Sequence, residues 1–148
     1  MSFTYHADFE IKSSSLKEIR NFCREIFQKN QELENEQEKL ILVISEAAQN
    51  IIKHAYENKD SPDKMRLQIS YNNNELQIDL YDKGKPVIEE DVKPRDLDDI
   101  KPGGLGTFFI KQVMDEIIFN KEKTDDWVNH LTLKKKLLTN NSTNIKYW

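Results

Sequence analysis

The sequence predicts an α+β domain, a two-layer α/β sandwich whose helices cover one face of a mixed, mostly antiparallel sheet. Three observations carry that prediction. Strand-type alternation opens the chain at 3–11, returns as a pair of segments over 65–80 and closes it at 128–137. Helix-type periodicity fills the intervals at 15–28, 36–57 and 105–117. At 148 residues the chain can bury one core and is too short for two domains of ordinary size.

In the first strand Phe3, Tyr5, Ala7, Phe9 and Ile11 share one face, and Thr4, His6, Asp8 and Glu10 the other. His6 therefore points away from the core. Ser15 followed by Glu18 is a capping-box pattern for a helix that turns Leu16, Ile19, Phe22 and Ile26 inward. Asn35 and Glu38 repeat the signal ahead of a longer helix, and Pro62 lies in the break after it. Met65, Leu67, Ile69 and Tyr71 then alternate with polar residues, as do Leu76, Ile78 and Leu80. Asn72, Asn73 and Asn74 between them make the pair a hairpin. From 83 to 104 no period appears, and Pro86, Pro94 and Pro102 punctuate an acidic stretch. A loop of that length is usually functional. One domain is expected over 1–138, followed by a polar tail at 139–148.

The formal charge is -4 and the pI about 5.5, so no global basic field draws the chain to nucleic acid or an anionic membrane. The basic cluster Lys134, Lys135 and Lys136 reads as a solvated strand end. Cys23 is the only cysteine, which rules out an intrachain disulfide and a cysteine-based zinc site. With no secretory pattern at the N-terminus and no apolar run approaching ~20 residues, a cytoplasmic protein is expected.

Three segments carry chemistry. On the long helix Ile44, Ala47, Ala48, Ile51 and Ala55 share a face, and Leu42 and Val43 extend the apolar surface around it. Glu46 and Asn50 lie four residues apart on one flank. A carboxylate and a carboxamide there need partners, which a hydrated cation and a phosphate would supply. An exposed flank with an incidental pair remains the plainer alternative. Asp82-Lys83-Gly84 follows the second hairpin strand, where an aspartate can accept from an exocyclic amine and a glycine lets backbone approach a flat base. An ordinary strand-ending turn would look the same. Gly103-Gly104-Leu105-Gly106 leads directly into a helix, which makes an anion site of backbone amides. The chain has 4 glycines and all of them fall in these last two segments, which an innocent scatter would not produce. The pattern is neither a P-loop nor the dinucleotide fingerprint.

In this order and spacing, ISEAAQNIIKHAY, DLYDKGKP and GGLGTFFIKQVMDE, with NHLTLKKKL at the end, resemble the gyrase-, Hsp90-, histidine-kinase- and MutL-type (GHKL) ATPases. They look closest to the small bacterial anti-sigma factor serine kinases. The resemblance implies the Bergerat ATP-binding fold, with ATP and Mg2+ as ligands. It gives Glu46 the role of orienting or deprotonating the attacking hydroxyl and Asn50 that of holding Mg2+. Asp82 would take the adenine amine and Gly84 support the base, while Gly103, Gly104, Leu105 and Gly106 would face the phosphates. Residues 85–102 would form the ATP lid, and Thr132 would contact the adenine side through its hydroxyl. Two departures stand out. The family's Gly-Thr pair before the last strand is replaced by Thr124-Asp125-Asp126-Trp127-Val128-Asn129, and Lys83 occupies a place where a small or amide residue is frequent.

The resemblance implies a serine/threonine protein kinase that phosphorylates a STAS-type anti-sigma factor antagonist and sequesters a sigma factor. The alternative is a nucleotide-gated binding module of the same fold without catalysis. Homodimerisation through the open edge of the first strand is a further expectation.

Overall fold

The computed structural model describes residues 2–86, 104–121, 124 and 126–137. The alternating segments pair into a five-stranded sheet of β1 (Phe3–Glu10), β2 (Lys64–Asn72), β3 (Glu75–Asp82), β4 (Glu116–Phe119) and β5 (Asn129–Lys136). The strand order is β1-β2-β3-β5-β4 and every pairing is antiparallel. β1 is an edge, as the sequence implied. Between β2 and β3 the turn residues Asn73 and Asn74 both have positive φ, 52° and 64°. That is the conformation of a two-residue type I′ hairpin, which asparagine tolerates.

Helices α1 (Ser15–Phe27), α2 (Gln31–Asn35), α3 (Gln37–Asn50) and α4 (Gly104–Val113) complete the fold. The core lies between them and one face of the sheet. Met65, Leu67, Ile69, Leu76, Ile78, Leu80 and Leu133 from the strands meet Ile19, Phe27, Leu40, Ile44 and Ala48 from the helices. The opposite face bears Asp8, Arg66, Tyr81, His130 and Lys134, as strand parity requires.

Four local expectations change. Ser15 does not cap α1 but is its first residue, and its buried Oγ has no partner among the described residues. The chain enters through a turn in which Lys12 and Ser13 carbonyls accept from the amides of Ser15 and Leu16, so no side-chain cap is needed there. Asn35 does not open the long helix; Asn30 caps α2 instead, its Oδ1 accepting from the Leu33 amide at 3.1 Å. The long helix is α-helical only to Asn50 and widens into a π-helical turn at Ile51–Ala55. The fourth helix ends at Val113 rather than running to 117. Ile117 and Ile118 instead extend along the free edge of β5, and Asp115 accepts the Lys136 amide at 2.7 Å. Paired β-branched residues beside an open edge favour the strand.

The π turn joins helix to sheet. The Ala55 carbonyl, at a helix end with no helical amide to meet it, accepts from the Lys85 amide at 2.7 Å. Gly84 lies against it so closely that a Cβ would stand 2.6 Å from that oxygen and 2.8 Å from the Ala55 Cβ. Gly84→Ala should therefore lower stability by about 1–3 kcal/mol, because backbone has to move, read as a drop in the urea midpoint. Cys23 is fully buried, and burial pushes its thiol up to about 12. Iodoacetamide at pH 8 is expected to leave it unmodified in folded protein and to alkylate it in urea, as read by intact mass.

Candidate functional site

Glu46 and Asn50 stand one turn apart on α3, both half-buried, with Ala47 and Ala48 between them in the core. Neither makes a side-chain hydrogen bond or ion pair among the described residues. The apolar surface does not wrap the helix as the sequence suggested, since Leu42 is 45% exposed. Among the described residues, the two polar groups of this flank retain their bonding capacity. Asn50 is the last α-helical residue before the π turn, a distortion that recurs at functional sites.

Asp82 ends β3 on the helix-facing side and is 2% exposed. Its Oδ1 accepts from the Gly84 amide at 2.9 Å and from Asn129 Nδ2 at 2.8 Å. Burial pushes its carboxyl above the ordinary range, while those two donors pull the other way. The following turn is held at several points. Lys83 N–H donates to the Tyr56 hydroxyl at 3.0 Å, which itself donates to Asp63 at 3.1 Å. Asn129 Nδ2 also donates to the Lys85 carbonyl at 2.9 Å, and Val128 N–H to the Asp82 carbonyl at 2.9 Å. Glycine at 84 thus answers to the close approach of Ala55, a reason the sequence did not offer.

Thr132 is a correction. It pairs with Asp79 in the β3–β5 register, on the face opposite to Asp82. Its hydroxyl donates to Asp79 Oδ1 at 2.6 Å and accepts from Asn120 Nδ2 at 2.9 Å. His130 Nε2 lies 2.8 Å from the same carboxylate oxygen, and the His130 ring stacks on Tyr81 at 4.1 Å. A hydroxyl committed there, across the sheet from Asp82, does not reach a base held by Asp82. The residue that the sequence reading missed is Asn129, which is directly opposite Asp82 in the register. The signal was available: Asn129, Leu131, Leu133 and Lys135 alternate on the inward face, so the inward polar residue at the Asp82 end of that strand is the asparagine.

Gly104 opens α4, and Leu105 and Gly106 fall in its first turn, where amides have no helical acceptor. Gly103 and residues 87–102 of the expected lid lie outside the described residues. α4 packs on α3, with Phe109 beside Ile41, Leu42 and Ser45 in a surface depression of about 420 Å³. One helix therefore receives the turn after β3 at its C-terminal end and the glycine-led helix along its side.

The donors fit magnesium and a triphosphate. The Glu46 carboxylate and the Asn50 amide oxygen are hard oxygen ligands of the type Mg2+ accepts. Among the described residues no group of three or more His, Cys, Asp or Glu side chains gathers as a metal cage. An ion shared between Asn50, phosphate oxygens and water suits that donor set.

No helix among the described residues is long and apolar enough to cross a membrane. Comparison with known proteins agrees with the geometry. A serine-protein kinase RsbW of Staphylococcus aureus strain bovine RF122/ET3-1 is 27% identical over 113 residues, 71% of each chain. The RsbW of strain JH9 is 26% identical over the same length and coverage. Among solved structures, a chain of the SiaB–SiaC complex of Pseudomonas aeruginosa superposes with a TM-score of 0.60 at 17% identity, covering 90% of this chain and 88% of that one. The histidine kinase domain of Erythrobacter litoralis EL346 gives 0.52 at 15% identity, covering 86% and 61%. These two likenesses concern the fold. The model of the histidine kinase-like ATPase domain matches residues 9–135, and the chain belongs to that ATP-binding family, near its anti-sigma factor kinases.

Proposed function

We propose that this chain is a Mg2+- and ATP-dependent serine/threonine protein kinase that phosphorylates a STAS-type anti-sigma factor antagonist and binds a sigma factor. The observation that carries the reading is the polar flank of α3. It presents a half-buried carboxylate and carboxamide that make no side-chain hydrogen bond among the described residues, and the turn that joins its C-terminal end follows an anchored, buried aspartate, in a chain related to the serine-protein kinase RsbW. Mg2+ would supply charge neutralisation of the phosphates. The chain's own groups do the rest. Glu46 receives the proton of the attacking hydroxyl, and Asn50 holds the ion in place. Asp82 accepts the adenine amine, Gly84 keeps the adjoining turn close, and Gly103, Gly104, Leu105 and Gly106 offer amides to the phosphates.

Partner contacts belong to the same proposal. β1 is an eight-residue edge strand, so a second copy could pair with it and form a homodimer. The alternative, an ATP-gated binding module, differs only in lacking transfer, and kinetics separate the two. Glu46→Gln should lower phosphoryl transfer to the antagonist by roughly 100-fold or more. ATP affinity in calorimetry should change by less than about threefold. Asn50→Ala is expected to abolish the dependence of ATP affinity on Mg2+. Wild-type protein that binds ATP yet transfers nothing to any antagonist domain would replace the kinase with the binding module.

A further inference from the structure

We propose that Asn129 is the positioning residue for base recognition: its carboxamide fixes Asp82 so that one carboxylate oxygen is left to read the exocyclic amine of adenine. The inference rests on the ATP-site reading above and adds to it a residue to which the sequence reading had given no role. Asn129 Nδ2 has two hydrogens and two acceptors, Asp82 Oδ1 at 2.8 Å and the Lys85 carbonyl at 2.9 Å. A backbone carbonyl can only accept, so the amide must present its NH2 group in that direction. With the Gly84 amide, Oδ1 takes two N–H donors, whereas no hydrogen bond among the described residues reaches Oδ2.

The two oxygens of one carboxylate are thereby divided between anchoring and recognition. Because the aspartate is almost fully buried, it needs those donors to remain an acceptor. An ionised Oδ2 welcomes the amine of adenine and repels the carbonyl that guanine presents at the same position. Asn129 also ties the carboxylate to Lys85, whose amide caps the Ala55 carbonyl, so the acceptor is fixed relative to the helix that carries Asn50.

The test is calorimetry of full-length wild type and variants with Mg2+ and either ATP or GTP, from pH 6 to 8.5. Asn129→Leu, with the same branching and no donors, should weaken ATP binding at least about tenfold and erase most of the preference over GTP. Asn129→Ser restores one donor and should recover part of both. Asn129→Asp sets two carboxyls against each other; one keeps a proton at low pH, so ATP affinity should fall as pH rises while wild type stays flat. A structural defect alone would not produce that pH slope. Wild-type affinity and selectivity in the Leu and Ser variants, with Asp82→Asn losing both, would overturn the role of Asn129 alone. Wild-type protein that binds neither nucleotide would overturn the ATP-site reading, and this inference with it.

Discussion

One carbonyl organises the site. The oxygen of Ala55 would be left over at the end of a helix, and the chain satisfies it with an amide from the turn after β3, at 2.7 Å. The bond requires the backbone at 84 to lie almost in contact with Ala55, which only a residue without Cβ permits. It also requires the helix end to be placed where the π turn places it. The end of the central strand and a helix terminus that would otherwise be related only through the core are thus joined directly. Asp82 and Asn50 keep a fixed relation because of that junction.

Around it the polar groups fall into two classes. Asp79 and Asp82 are both buried in β3, at 1% and 2% exposure, and both are supplied with donors from β5. They sit on opposite faces of the sheet. Asp79 draws on His130, Thr132 and Gln77 and belongs to a network closed within the protein. Glu46 and Asn50, by contrast, make no such bonds among the described residues. Burial with full satisfaction stabilises a fold, and partial exposure without partners leaves capacity for a ligand.

Much of this was legible in the sequence because the strands alternate cleanly and the glycines are so few. The hairpin at Asn73 and Asn74 and the helix-facing residues of β2 and β3 follow from spacing, whereas Glu46, Asn50 and Asp82 stand out as motifs whose roles come only from the family resemblance. The losses have physical causes. Residues 114–119 carry an apolar pattern that suits a helix as well as a strand, and only the free edge of β5 decides between them. The π turn leaves no mark in periodicity, since five residues are too few to establish a new period. Thr132 was assigned by resemblance where strand parity would have excluded it, and parity points to Asn129.

The order of the strands has a consequence for how the chain reaches this state. β2 and β3 are closed by a two-residue turn and can zip together early. β1 meets β2 only across a separation such as the 66 residues between Thr4 and Ser70, with α1, α2 and α3 intervening. The entropy lost in closing that span is recovered only once the helices have docked and Phe9 and Ile11 are covered. The strand that comes first in chain order is therefore among the last to be locked, and until then the side of β2 that it occupies stays uncovered.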